Sequence, residues 1–217
     1  MNGLTKVGIL LTSTTGVTGI GISGVYYVSL ETIGSLIKDD VLGEGEDFKE
    51  SWKSQHKKLL EASKENLSPK LASIKEKYTD NNNVEGHKAL TNWCKDTYSQ
   101  TYKNAFSSEN RRLLSEAQKY CIQSIKERTE SGKIPNLTDS TDSSTFTNNY
   151  KKLNNHNEST SGKLDDKLLS LKKSYKSNPQ EAEWKAIQSW CFEALKKAFK
   201  GSKNNLFLLT QTFCKKA

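Results

Sequence analysis

The chain has 217 residues, of which 34% are hydrophobic and 27% charged, with a formal net charge of +8. Four Trp, eight Tyr and seven Phe exclude a wholly disordered chain, because each ring can bury a large apolar area. The charge rests on Lys, with Arg111, Arg112 and Arg128 the only arginines, which speaks against a nucleic-acid reader built on guanidinium contacts.

Residues 7–30 carry no charge and are rich in Val, Ile, Leu, Gly and Thr. As a helix at about 1.5 Å per residue this run is long enough to cross a hydrocarbon core. It predicts a membrane anchor over 1–30. A cleaved signal peptide is the rival reading, disfavoured by the length of the run and the lack of an A-x-A-like site. Lys6 precedes the span, and Glu31, Asp39, Asp40, Glu44, Glu46 and Asp47 follow it. The positive-inside rule then leaves the N-terminus cytoplasmic and the remainder extracellular, in a single pass of the cell membrane. Gly8, Thr12, Gly16 and Gly24 form a small-residue stripe that allows self-association, or they merely populate a weak leader. Residues 31–46 read as an acidic juxtamembrane linker.

From there on, the chain predicts helices. Three prolines and many strong helix formers favour them over a turn-rich β fold. A first stretch spans 48–66. A second, 68–78, opens at Ser68-Pro69, a cap residue followed by a first-turn proline. Leu90, Trp93, Thr97 and Tyr98 mark a third at helical spacing, and Leu113, Leu114, Ala117, Cys121 and Ile125 a fourth. Residues 129–145, with Gly132, Pro135 and a Ser/Thr/Asp cluster, read as a linker.

The same order then recurs. Leu90-Thr-Asn-Trp93-Cys94 returns as Ile187-Gln-Ser-Trp190-Cys191, at an offset of 97 residues that also aligns Leu71 with Leu168 and Tyr78 with Tyr175. Phe48 and Trp52 answer Phe146 and Tyr150 at an offset of 98. Ala105-Phe106 pairs with Ala198-Phe199, and Tyr120-Cys121 with Phe213-Cys214, at an offset of 93. The predicted fold class is therefore all-α, with an N-terminal transmembrane helix and two duplicated small helical bundles over 47–128 and 146–217, either separate or packed together.

Cys94 and Cys121 are centred on Ser107-Ser108, and Cys191 and Cys214 on Gly201-Ser-Lys-Asn-Asn205, both turn signals. In antiparallel helix pairs this geometry favours Cys94–Cys121 and Cys191–Cys214 disulfides, although four cysteines allow three pairings. Placing the four-residue deletion at Phe199 would shift the second pair by about one helical turn. Free buried thiols and, more remotely, a four-thiolate zinc site are the alternatives. Trp93, Tyr120, Trp190 and Phe213 read as repeat-core residues rather than ligand platforms.

Candidate chemistry is sparse. His87 sits seven residues before Cys94 and could share its helix face, but its counterpart is Trp184 and no orienting acid is evident. His56 and His156 form no metal-ligand pattern, and no P-loop, dinucleotide, H-E-x-x-H or G-x-S-x-G motif occurs. No catalytic, cofactor or metal residues are assigned, and an enzyme is not expected. Lysines interspersed with acids, as over 53–64 and 70–77, read as solvated faces, with an anionic-ligand patch as the alternative.

The Gly/Thr-rich leader, the Lys/Asn-rich remainder and the recurring Trp-Cys and aromatic-Cys pairs resemble large paralogous, surface-predicted families of haemotropic mycoplasmas. The likeness spans the whole chain through short motifs. It implies a wall-less bacterium living on red cells, with the ectodomain facing the host, and it carries over no functional residues. The expected function is host interaction or antigenic variation by a membrane-anchored, non-enzymatic surface protein. Its partners would be the membrane through 7–30 and a host-cell surface or anionic glycan, without nucleic acid. A scaffold that self-associates through leader or repeats is the alternative.

Overall fold

The computed structural model describes residues 32–102, 108–130 and 132–216. The expected membrane span, 7–30, lies outside them. Among the described residues the fold is all-α, and no helix is long and apolar enough to cross a membrane. The eleven helices are α1 (Ile33–Ile37), α2 (Lys49–Leu60), α3 (Pro69–Lys77), α4 (Val84–Tyr98), α5 (Ser108–Tyr120), α6 (Ile125–Arg128), α7 (Ser143–Lys151), α8 (Glu158–Ser161), α9 (Asp166–Lys173), α10 (Glu181–Lys196) and α11 (Asn205–Phe213). Short 3₁₀ turns at Glu46–Phe48 and Lys64–Asn66 complete the order.

The two Trp-Cys helices are the hubs. Helix α4 packs on α1, α2, α3 and α5, and α10 packs on α6, α7, α9 and α11. Each turns its periodic apolar stripe inward, Leu90, Trp93 and Cys94 on one, Ile187, Trp190, Cys191, Ala194 and Leu195 on the other. Asn83 starts α4 by accepting the Glu85 and Gly86 amides through its side chain. Gln180 and Glu183 start α10 as a reciprocal capping box. Ser68, the expected cap of α3, makes no such bond. Its own amide donates to Glu116 Oε1 at 2.5 Å, a charge-assisted bond that fixes the start of α3 against α5.

Among the described residues three isolated antiparallel bridges tie the helices end to end, and two of them, Thr32–Thr101 and Ser124–Ala198, are built alike. Ile33 N–H donates to Gln100 O at 2.9 Å, and Ile125 N–H to Lys197 O at 2.8 Å. In each case the donor follows a capped residue, Thr32 or Ser124, that closes a capping box and opens a short helix, α1 or α6. Val41 bridges Ile122, with Leu42 N–H on Cys121 O at 2.9 Å; Lys216 N–H donates to Lys133 O at 2.7 Å beside Cys214.

These contacts alter the reading of both expected linkers. Residues 31–46 include α1 and send Ile33, Ile37 and Leu42 into the core, while Trp52 Nε1 donates to Gly43 O at 3.0 Å. The second linker, 129–145, begins with Thr129 closing the α6 turn through Ile125 O and is held by the Gln188 side-chain amide. That amide donates to Asn136 O at 3.2 Å and Asp139 O at 2.6 Å. Acidic and Ser/Thr-rich composition hid the apolar residues that anchor both stretches.

The halves 32–123 and 124–216 pack together through the loop after α10. Phe199 is fully buried, with its N–H on Gln123 O at 2.7 Å and its ring 5.7 Å from Phe48. Lys200 Nζ donates to Val41 O at 3.0 Å, and Ser202 donates to the Asp47 carboxylate through both its amide and its hydroxyl. Gly201 has φ +102°, and a Cβ there would lie 2.8 Å from Asp47 Oδ2, so the loop closes on the first half only with glycine.

Candidate functional site

Both cysteine pairs are joined as the hairpin geometry suggested. Cys94–Cys121 and Cys191–Cys214 have Cα–Cα distances of 5.8 and 5.5 Å, and no cysteine is free. The one-turn offset that the alignment of Phe199 with Phe106 implied for the second pair does not prevent its bridge. The Ala198 bridge follows Cys191 by the same seven residues that separate Thr101 from Cys94. Phe199 and Tyr102 each follow the cysteine of their Trp-Cys pair by eight residues. Helix α11 has nine residues and α5 thirteen.

Trp93, Tyr120, Trp190 and Phe213 are all buried, at 5% exposure or less. Trp190 Nε1 donates to Asp165 Oδ2 at 2.6 Å, and its ring meets Phe213 edge-on at 6.3 Å. With Cys94 in a disulfide, it has no thiolate to offer as a nucleophile to His87. His87 Nε2 is instead 2.7 Å from Asn81 O, pinning the loop before α4.

His87 also packs edge-on against His56, ring centroids 5.3 Å apart, a pairing that the sequence did not show. His56 is fully buried on α2, and neither ring nitrogen makes a well-formed hydrogen bond. Gly86 is what lets the ring in: a Cβ there would lie 2.7 Å from His56 Cε1. Burial, then the His87 ring, holds the His56 pKa below the ordinary histidine value, against weaker help to the proton from the Tyr78 main chain and Asp80. A lowered histidine pKa means that the unfolded chain takes up the proton first. Stability should therefore be complete above about pH 6.5 and fall as pH drops from there toward the folded-state pKa, by up to about 1.4 kcal/mol per pH unit. Urea melts between pH 7.5 and 4.5 test this. The slope should shrink in His56→Leu, and an unchanged slope in that variant would assign the acid sensitivity elsewhere.

Two surface depressions deserve description. One, of about 370 Å³, lies between the 44–46 turn and α4 over Trp52. Its Lys95, Lys49 and Lys88 are each paired with a carboxylate, Glu44, Glu46 and Glu85 respectively. A larger groove, of about 990 Å³, runs along the junction between α2 and residues 124–134. There Lys58 meets Glu127 at 2.7 Å across the two halves. Among the described residues no group of three or more His, Cys, Asp or Glu side chains is placed to hold a metal ion.

Charge, by contrast, is divided unevenly. Residues 32–123 carry 15 Lys and Arg against 14 Asp and Glu, and residues 124–216 carry 17 against 10, so the surplus lies in the second half. No family model, curated protein or solved structure matches the chain. Any functional reading therefore rests on the residues themselves.

Proposed function

We propose that the chain is a membrane-anchored surface protein whose duplicated, disulfide-stapled ectodomain faces the outside of the cell and acts in host interaction or antigenic variation, without enzymatic activity. The observation that carries the location is the pair of disulfides. Such bonds persist in oxidising, extracytoplasmic surroundings and are rare where cellular thiols stay reduced. The charge-free run over 7–30 would supply the anchor, and Lys6 with the acidic flank would set its direction. The resemblance to the paralogous families of haemotropic mycoplasmas points to the same place.

The duplication is part of this proposal, and the paired contacts move its boundary. Helices α1, α2, α3, α4 and α5 answer α6, α7, α9, α10 and α11 in order, and the main-chain contacts that follow Thr32 and Ser124 correspond as well. The units then run 32–123 and 124–216, so that α6 opens the second unit rather than ending the first. Limited proteolysis of intact cells tests the display. The chain should be clipped outside the membrane, and non-reducing peptide mapping should return both cysteine pairs. A chain left whole under conditions that clip a known surface protein would defeat the proposal.

A further inference from the structure

The two halves use one face differently. In the first half, Val41, Ser54, Ile122 and Gln123 lie along the junction with the second half: Val41 O accepts Lys200 Nζ, Gln123 O accepts the Phe199 amide, and Ile122 and Ser54 line the junction groove. The positions in the second half that match Ser54, Ile122 and Gln123 are Lys152, Lys215 and Lys216, and Lys133 lies main chain to main chain against Lys216. Three neutral positions have thus become lysine. Their hydrogen bonds and ion pairs stay within the second half.

That lysine face is built in advance. Lys216 N–H is held on Lys133 O at 2.7 Å, Asn149 Nδ2 on Lys215 O at 3.0 Å, and Lys152 Nζ on Thr212 O at 3.0 Å. The Cys191–Cys214 disulfide fixes the chain immediately before. Asp142 pairs with Lys216 at 3.0 Å, which leaves the other three ammonium groups without a carboxylate partner among the described ion pairs. These bonds fix the main chain beneath the lysines, while the ammonium groups of Lys133 and Lys215 stay free to turn toward an anion.

We propose that this face of the second half is an anion-binding surface for a sulfated polysaccharide. A further unit or a second copy docking there as the second half docks on the first would have to bury these lysines, which disfavours a repeating stack. Nucleic acid is a poorer fit, since the face has no arginine fork and no exposed aromatic for bases to stack on. A lipid surface is also a poorer fit. The exposed large apolar residues are Leu36, Val84 and Phe192, none of them on α7, α11 or the 133–216 pairing. The inference rests on the proposed outward display, because such polymers lie outside the cell.

The test uses the full, disulfide-intact chain in detergent and heparin as the probe. Lys133→Gln/Lys215→Gln/Lys216→Gln should weaken heparin binding by about tenfold at moderate salt. Lys38→Gln/Lys70→Gln/Lys77→Gln removes the same charge from the first half and should change it by less than about twofold. Circular dichroism and thermal melts confirm that each variant is folded. Equal loss in both variants would mean a net-charge effect only, and no loss in the first would mean a merely solubilising cap; either overturns the assignment. So would retention on anionic-lipid vesicles without binding to heparin. Surface proteolysis of intact cells is unaffected by these changes, so failure here leaves the display to be judged separately.

Discussion

Replacing Cys191 and Cys214 together by Ser is expected to lower the stability of the helical fold by about 3.5 kcal/mol, and Cys94→Ser/Cys121→Ser by a similar amount. The estimate follows from loop lengths, with sequence separations of 23 and 27 residues, through the entropy that a crosslink removes from the unfolded chain. The loss should be large relative to the total, because marginal domains rest on a small net free energy. Each half has a core of short helices around one Trp-Cys helix and little else to compensate. Urea unfolding with and without dithiothreitol measures the effect for both bridges at once. A reduced chain that unfolds within about 1 kcal/mol of the oxidised one would show that helix packing alone sustains the fold.

Phe199→Ala should cost about 3–5 kcal/mol and also uncouple the halves. The ring is fully buried between Phe48 at 5.7 Å, Phe207 at 4.9 Å and the Arg128 guanidinium at 5.5 Å. Truncation leaves a cavity lined by both halves and an Arg128 without its aromatic partner. The main-chain bond to Gln123 O and the Ser202 contacts to Asp47 would persist, since neither needs the ring. Asp47 carries a lowered pKa, chiefly from the Ser202 hydroxyl. We therefore expect unfolding in two steps instead of one, with the first half and the second half melting apart. Tryptophan fluorescence and far-ultraviolet dichroism followed through the same urea titration would separate under that outcome. A single coincident transition with an unshifted midpoint would show that the junction contributes little.

Much of this molecule could be read from its residues because the informative ones are rare. Trp-Cys and aromatic-Cys pairs stand out in a chain dominated by Lys, Asn and Ser, and helical spacing around Trp93 and Trp190 was enough to place α4 and α10. Turn signals midway between cysteines were enough to favour the pairing found. The capped starts Thr32-Ile33-Gly34-Ser35 and Ser124-Ile125-Lys126-Glu127 were also present to be read as two N-termini. They were missed because one was assigned to a linker and the other to the end of a bundle.

What the sequence by itself determined is local and covalent: an all-α fold over the described residues, a charge-free run over 7–30 and cysteines spaced for two hairpins. Helix periodicity, capping and turn chemistry act over a few residues, so they survive in a one-dimensional reading. Only the tertiary structure decided what depends on contacts between distant residues. It packed the halves through Phe199, hid His56 beneath Gly86, and brought Lys133 beside Lys216. No spacing rule connects Lys133 to Lys216. A main-chain bond formed after the chain has folded back on itself does.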